Sequence, residues 1–179
     1  MVVGGLLLLV AIGIGIAAAT SGAFKSTGSG SLTKNGVECN PGEQLAVHYH
    51  AHLDILNNGQ PVNIPAGIGI DNADNCLYWL HTHDTAGYVH IEAPARVAQR
   101  TFTLGNFFDV WGQPLSSQQV ATIKLSSGQK LVAFVDGKQY TGDPRSIPLK
   151  SKEEIVLEIT PPLVDPPPPF TWDDANYPS

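Results

Sequence analysis

The chain has 179 residues and a formal net charge of −6, and 42% of its residues are hydrophobic. Its 10 lysines and arginines are scattered and form no basic patch, which argues against a nucleic-acid partner. The sequence contains no phosphate-cradling glycine loop, no Gly-x-Ser-x-Gly motif and no Cys-x-x-Cys motif. It therefore gives no sign of a nucleotide-binding, serine-hydrolase or thioredoxin-like function.

Residues 2–19 are apolar and uncharged, and the first charged side chain is that of Lys25. The stretch is long enough to cross a bilayer as a helix. No lysine or arginine precedes it, unlike in a standard signal peptide. Three interpretations of residues 1–23 stay open: a cleaved export signal, a membrane anchor, or the assembly helix of a pilin-like filament subunit. Each of them predicts an extracytoplasmic protein that is membrane-anchored, displayed at the cell surface or secreted.

Residues 24–38 contain the run Ser-Thr-Gly-Ser-Gly-Ser and are typical of a flexible tether. The two cysteines of the chain, Cys39 and Cys76, follow this tether. An even pair of cysteines in an exported chain predicts a disulfide. The bridge would tie the start of the folded domain to the segment that carries His81 and His83.

Residues 39–160 predict an all-β domain, an antiparallel β-sandwich or barrel of short strands, which follows the one apolar helix at the N terminus. The Asn-Asn-Gly sequence at 57–59 predicts a hairpin turn, and so does Asp136-Gly137. A third hairpin is predicted around residues 126–128, between strands at 121–125 and 131–135. This density of turns favours many short strands.

One short helix is predicted inside the β domain, at residues 106–111. Phe107, Phe108 and Trp111 have the spacing of one helix face there. We interpret these aromatic side chains, together with Trp79, as core residues and not as a binding surface.

All six histidines of the chain lie within a window of 43 residues. The first three alternate along a predicted strand at residues 45–56, with His48, His50, His52 and Asp54 on one face. Val47, Tyr49, Ala51, Leu53 and Ile55 form the other face, which is apolar and predicts contact with the core. Three imidazoles therefore point to the same side of the sheet.

The other three histidines fall on a predicted hairpin. Residues 77–83 form its first strand, residues 84–87 form a turn with Asp first and Gly last, and residues 88–92 form the return strand. A four-residue loop pairs His81 with His90, and His83 with Tyr88. Directly opposed side chains share a face with Cβ atoms about 5 Å apart, so His81, His83 and His90 are expected to form a triangle.

Alternating histidines on neighbouring strands predict a metal site, because neutral imidazole is a preferred ligand of copper and zinc. The candidate ligands are His81, His83 and His90, with His48, His50 and His52 completing that site or forming a second one. Glu92, Asp54 and Asp84 are expected to orient these histidines from behind. A polar structural network of the same histidines is the alternative.

The identity of the metal follows from the ligand types. The only methionine is Met1 and the cysteines are expected to be bridged, so a blue-copper ligand set is poorly supported. An imidazole-rich site without thiolates suits copper(II) or zinc, and the predicted extracytoplasmic location favours copper slightly. Three histidines with an open position would instead match catalytic zinc.

Residues 161–179 form a proline-rich, acidic tail. Residues 166–169 are four consecutive prolines, which favour a polyproline II conformation. The tail is either a spacer or a strap that packs Phe170, Trp172 and Tyr177 on the domain, and these aromatic side chains favour the strap.

Four segments of the chain resemble an uncharacterised family of exported bacterial and archaeal proteins. They are the His-x-His-x-His-Leu-x-Ile motif at 48–55, Cys-Leu-Tyr-Trp-Leu-His-Thr-His-Asp at 76–84, a segment ending in His-Ile-Glu at 87–92, and Thr-Leu-Gly-x-Phe-Phe-Asp-Val-Trp-Gly at 103–112. The resemblance extends over residues 39–159. It implies an extracytoplasmic location and implies no catalytic residue.

Two functions follow from these patterns. The first is a membrane-tethered extracytoplasmic metal-binding domain, copper more than zinc, with a copper or zinc enzyme as its variant. The second is a structural subunit of an extracellular filament or membrane complex. Its partners would be neighbouring subunits or the membrane, contacted through residues 2–19. Histidine clustering favours the first function, and the uncharged N-terminal segment favours the second.

Overall fold

A computed structural model describes residue 1 and residues 32–177 of the chain. The helix predicted at residues 2–19 and most of the predicted tether lie outside the described residues. In the described part, no helix is both long and apolar enough to cross a membrane. The folded part includes a strand that starts at Thr33, so it reaches into the stretch predicted as a tether.

The described residues are mostly β-structure, as predicted, with one α-helix, α1 (Leu104–Trp111), and two 3-10 turns. The strands, in chain order, are β1 (Thr33–Lys34), β2 (Val37–Asn40), β3 (Val47–Asn57), β4 (Gln60–Pro61), β5 (Ile70–Asp71), β6 (Cys76–Tyr78), β7 (Leu80–His81), β8 (Tyr88–Ala93), β9 (Leu115–Ser116), β10 (Gln119–Val120), β11 (Ile123–Lys124), β12 (Lys130–Val135), β13 (Lys138–Tyr140) and β14 (Glu154–Thr160).

These strands form three sheets. The largest has the order β13-β12-β14-β3-β8-β7, with β4 also paired to β3. The second has the order β1-β2-β6-β5, and the third β11-β10-β9. Among the described strands, pairing is antiparallel except between β14 and β3, which run parallel. The predicted antiparallel architecture is therefore correct apart from this central pair.

The prediction of one continuous strand at residues 77–83 is wrong, because the chain changes sheets at Trp79. β6 belongs to the four-stranded sheet and β7 to the largest sheet. The Trp79 backbone N–H donates to the Glu38 carbonyl in the first, and its carbonyl accepts from the Glu92 N–H in the second. The buried Trp79 side chain anchors this crossing, with its indole N–H donating to Asn40 Oδ1 at 2.6 Å.

Of the hairpins predicted at residues 57–59, 136–137 and 126–128, the first two are confirmed. Asn58 and Gly59 both have positive φ, as a two-residue turn between β3 and β4 requires, and Asp136 and Gly137 do the same between β12 and β13. The hairpin predicted around residues 126–128 is wrong. β11 pairs with β10, and β12 pairs with β13 and β14, so these two strands belong to different sheets.

The helix predicted at residues 106–111 is confirmed and begins two residues earlier. Thr103 caps it, because its hydroxyl accepts from the Asn106 backbone N–H while the Asn106 side chain accepts from the Thr103 N–H. Gly112 ends the helix in the left-handed conformation. Phe107 and Phe108 are fully buried, which confirms that they belong to the core.

The apolar face of β3 contributes Ala51, Leu53 and Ile55 to this core, and all three are at most 1% exposed. The apolar alternation along β3 is therefore confirmed. The histidines lie on the other face of the same sheet.

The predicted disulfide between Cys39 and Cys76 is confirmed. The two Cα atoms lie 5.4 Å apart, within the range that a disulfide needs. The bridge joins β2 to β6, two neighbouring strands of the four-stranded sheet. It supports an oxidising, extracytoplasmic environment for this chain.

Replacing both Cys39 and Cys76 by serine should lower the free energy of unfolding by about 3–4 kcal/mol, because opening the loop returns chain entropy to the unfolded state. The cysteines are 37 residues apart in sequence. Guanidinium unfolding followed by tryptophan fluorescence measures the change. A reductant should lower the stability of the wild type to the same level and leave the double variant unaffected. Equal unfolding midpoints for the two proteins would contradict the prediction.

The described part of the tail, residues 161–177, packs on the sheet face opposite the core, as the strap interpretation predicts. The Val164 backbone N–H donates to Glu158 at 2.9 Å, and that of Phe170 donates to Glu154 at 2.8 Å. Alternate residues of β14 share a face, so Val156 lies beneath the tail between these two anchors. The tail thus covers this part of the sheet face.

Candidate metal centre

Three neighbouring strands bring histidines together on the face opposite the core. In the sheet order β3-β8-β7, His50 pairs with His90, and His90 pairs with His81. One step along the strands, His48 pairs with Glu92. Because directly opposed residues point to the same side of a sheet, these five side chains form one continuous surface.

The turn between β7 and β8 sets this register. The Ala86 N–H donates to Asp84 Oδ1 at 2.8 Å, and Gly87 has a φ of +84°. A Cβ at Gly87 would lie 2.5 Å from the Leu53 carbonyl oxygen. The predicted pairing of His81 with His90 is confirmed. The predicted pairing of His83 with Tyr88 is wrong, because β7 ends at His81.

His83 nevertheless joins the cluster from beyond the end of β7. Its Nε2 lies 3.2 Å from His81 Nε2, and its ring centroid lies 4.5 Å from that of His90. Its side chain is 39% exposed, so solvent reaches the cluster from this side. The expected triangle of His81, His83 and His90 is therefore present, although His83 reaches it from outside the strand.

The side chains form two groups, in each of which one ligand atom per residue lies within 4.8 Å of all the others. The first group is His81, His83, His90 and Glu92, and the second is His48, His50, His90 and Glu92. Two ligands of one ion are at most about 4.2 Å apart, twice a metal–ligand distance of about 2.1 Å. Both groups are therefore close enough to hold a metal ion after small side-chain rotations.

Glu92 belongs to both groups and is buried, at 3% exposure. Its Oε1 lies 3.4 Å from His48 Nε2 and 3.3 Å from His90 Nδ1, and its Oε2 lies 3.8 Å from His81 Nε2. Burial opposes ionisation of Glu92, but the His90 hydrogen bond and the neighbouring imidazoles outweigh it and lower the pKa of the carboxyl. From the sequence we expect Glu92 to orient the histidines without being a ligand itself. In the structure its oxygens lie among the candidate ligand atoms.

His81 is held as a neutral ring with one nitrogen directed into the cluster. Its Nδ1–H donates to the Tyr78 carbonyl at 2.9 Å, which leaves the Nε2 lone pair facing His83 and Glu92. Burial is the main cause that lowers the pKa of His81 to about 4, against the opposing charge of Glu92. A neutral imidazole with a fixed tautomer is the form that binds a metal.

The metal-free protein should lose stability as the pH falls from about 6.5. The pKa of His81 is about 4 in the folded chain, so the unfolded chain takes up the proton first and is favoured. The loss due to His81 should reach about 3 kcal/mol near pH 4. Urea unfolding in EDTA at a series of pH values measures it, and His81→Gln should flatten the profile in this window. An unchanged profile in that variant would argue against the assignment.

His52 lies outside both groups. Its ring stacks on Phe170, with centroids 3.4 Å apart, and its Nε2–H donates to the Ala86 carbonyl at 2.8 Å. Burial lowers the pKa of His52, against the charge of Asp54. The structure therefore gives His52 a packing role beneath the tail and does not bring it to the other histidines as a ligand.

Of the two aspartates expected to orient the histidines, Asp54 lies beside His52 and Asp84 contacts the turn and the tail. Asp54 lies 3.7 Å from His52 Nδ1, outside both groups. Asp84 accepts from the Tyr177 hydroxyl at 3.1 Å and from the Ala86 N–H, so it fixes the turn and the tail. Neither carboxylate is part of the two candidate ligand groups.

The cluster has two further neighbours, Glu43 and Tyr177, that strand alternation does not predict. Glu43 Oε1 lies 3.5 Å from His83 Nε2, and it precedes β3 in a segment without alternation. The Tyr177 ring stacks on Tyr88 at 3.6 Å and meets the edges of His50 and His90. The alternation of β8 predicts that Tyr88, on which Tyr177 stacks, lies on the histidine face. No pattern in the sequence predicts that Glu43 lies beside His83.

A cavity of about 650 Å³ occurs elsewhere, lined by β9, β12 and residues 139–145. None of the six histidines lines it. Its two charged side chains are both engaged: Arg145 is paired with Asp109 at 2.7 Å, and Asp143 accepts from the Arg145 backbone N–H at 3.0 Å. This cavity therefore offers no chemistry comparable with that of the histidine cluster.

Comparisons of the chain with protein-family models, curated proteins and solved structures give no significant match. The resemblance to a family of exported bacterial and archaeal proteins stays a prediction.

Proposed function

We propose that this chain is an extracytoplasmic metal-binding domain, tethered through its N-terminal segment, that takes copper or zinc in the histidine cluster. The observation that carries the proposal is the pair of four-residue groups whose ligand atoms lie within 4.8 Å of one another. The alternative, a polar structural network of the same histidines, does not require four ligand atoms to lie this close together.

The spacing of His81 and His83 matches that of two ligands of one ion. Two nitrogens bound to one tetrahedral ion at about 2.05 Å lie about 3.3 Å apart. The Nε2 atoms of His81 and His83 are 3.2 Å apart. Since His81 Nε2 carries no hydrogen while its Nδ1 donates to Tyr78, His81 offers a lone pair at the correct distance.

The ligand types favour copper(II) or zinc. Both groups consist of three imidazoles and one carboxylate, and the two cysteines are bridged to each other. Sites of imidazole without thiolate suit these two ions, and copper(II) binds more tightly than zinc to a given nitrogen site. We favour copper on this ground. The proposal concerns binding and assigns no catalytic step.

Access to the cluster fits a site that exchanges its metal with solvent. His48 and His83 are 40% and 39% exposed, whereas His50, His81, His90 and Glu92 are buried. Each group thus has one ligand at the surface and the others inside. An entering ion can meet an exposed imidazole first and then the buried donors.

Equilibrium dialysis of the full chain against copper(II) or zinc at pH 7.5, followed by metal analysis, tests the proposal. We expect stoichiometric uptake by the wild type and a loss of affinity of about 10-fold or more in His83→Gln, which removes a ligand. His52→Gln is the matched control, because His52 shares the strand face but belongs to neither group, and its affinity should be unchanged. Absence of uptake by the wild type, or equal losses in both variants, would contradict the proposal.

A further inference from the structure

We propose that the cluster holds two metal ions at once, one in each group, bridged by the carboxylate of Glu92. This inference rests on the proposed metal-binding function and adds the stoichiometry and the ligands of each ion. Glu92 is a member of both groups, and its position at the centre of the cluster is the feature that leads to the proposal.

The two oxygens of Glu92 face different halves of the cluster. Oε1 lies 3.4 Å from His48 Nε2, whereas Oε2 lies 3.8 Å from His81 Nε2. A carboxylate with each oxygen directed at a different set of nitrogens is arranged to bridge two ions. Oε2 accepts no hydrogen bond from any described residue although it is buried. A buried carboxylate oxygen without a donor is costly unless a cation or water compensates it.

Each half contributes its own pair of histidines. His81 and His83 lie on one side of Glu92, with their Nε2 atoms 3.2 Å apart. His48 and His50 lie on the other side, with ring centroids 4.9 Å apart and the rings nearly perpendicular. One oxygen of Glu92 completes a set of three ligands for each ion.

His90 stands between the halves and provides the remaining nitrogen. Its ring centroid is 4.6 Å from that of His50 and 5.1 Å from that of His81. Its Nδ1 faces Glu92, while its Nε2 is buried without a hydrogen-bond partner among the described residues. This nitrogen gives one of the two ions a fourth protein ligand.

A single ion cannot use all these donors. β3 and β7 lie on opposite sides of β8, so their backbones are about 10 Å apart. The donors accordingly form two groups and not one, with only His90 and Glu92 in common. Two-metal sites hold their ions about 3.5–4 Å apart, a separation that one bridging carboxylate spans.

The surrounding charge is compatible with two cations. Glu43 lies 3.5 Å from His83 and adds a second carboxylate at that side of the cluster. Lysine and arginine side chains form no described ion pair with Glu92, whose ion-pair contacts are all with histidines. The formal charge of the chain is −6, which also favours cation uptake.

Copper(II) titration of the full chain at pH 7.5, read by metal analysis and by electron paramagnetic resonance, tests the proposal. We expect two ions per chain and a half-field signal from a spin-coupled pair. His83→Gln and His48→Gln each remove an exposed ligand from a different half. Each should bind one ion and give the spectrum of an isolated copper(II) with no half-field signal.

The outcomes separate this inference from the proposed function. One ion per wild-type chain, weakened by both substitutions, means a single shared site and overturns the two-ion proposal while metal binding stands. Two ions without spin coupling overturn the Glu92 bridge. No bound copper in the wild type overturns both proposals.

Discussion

Glu92→Gln should weaken copper(II) and zinc binding by about 100-fold or more, the largest effect of any single substitution in the cluster. Glutamine has nearly the same shape as glutamate, but it has no charge and only one oxygen. Glu92 is the one carboxylate that belongs to both candidate groups, so its replacement weakens both. Competition against a chelator of known affinity measures the change at pH 7.5.

Glu158→Gln is the matched control for that experiment. Glu158 is also a buried glutamate on the same sheet face, at 1% exposure, and it accepts from the Val164 N–H. A glutamine carbonyl can accept the same hydrogen bond, and Glu158 belongs to neither candidate group. Its metal affinity should equal that of the wild type. Equal affinities for the wild type and Glu92→Gln would show that Glu92 is not part of the site.

Deleting the tail after Thr160 should destabilise the domain by about 5 kcal/mol or more, a large share of the stability of a typical domain. The deletion uncovers the face that holds Leu56, Phe134 and Val156, all buried in the intact chain, together with His52. It also removes the backbone donors that Val164 and Phe170 provide to two glutamates. Thermal unfolding of the full and shortened chains measures the loss.

Two point variants refine this prediction. Phe170→Ala should cost about 2 kcal/mol, because Phe170 stacks on His52 and also contacts Tyr88 and Trp172. Leu163→Ala is the control, because Leu163 is 45% exposed and should change stability by less than about 0.5 kcal/mol. A shortened chain as stable as the full one would mean that the tail is only a spacer.

The sequence predicts the candidate site well wherever local rules apply. Alternation along β3 separates Leu53 and Ile55, which face the core, from His48 and His50, which face the cluster. The turn that ends at Gly87 fixes the register that opposes His81 to His90. Both inferences depend on neighbours in sequence, because strand geometry has a period of two and a short turn permits few registers.

The features that the sequence does not predict depend on contacts between distant residues. The sheet change at Trp79 follows from hydrogen bonds to Glu38 and Glu92, which lie 41 and 13 residues away by their numbers. The parallel pairing of β14 with β3 joins segments about a hundred residues apart. The tail has no periodicity that predicts its contact with His52. The sequence therefore does not distinguish His52, which packs beneath the tail, from the other five histidines.

X-ray absorption at the metal edge tests metal binding by the histidine cluster, because it reports the ligands of the bound ion. The full chain is loaded with one equivalent of copper(II) or zinc at pH 7.5 and then desalted. We expect retained metal with nitrogen and oxygen ligands at about 2.0–2.1 Å and scattering from at least two imidazole rings. Loss of the metal on desalting, or a coordination shell without imidazole, would contradict it.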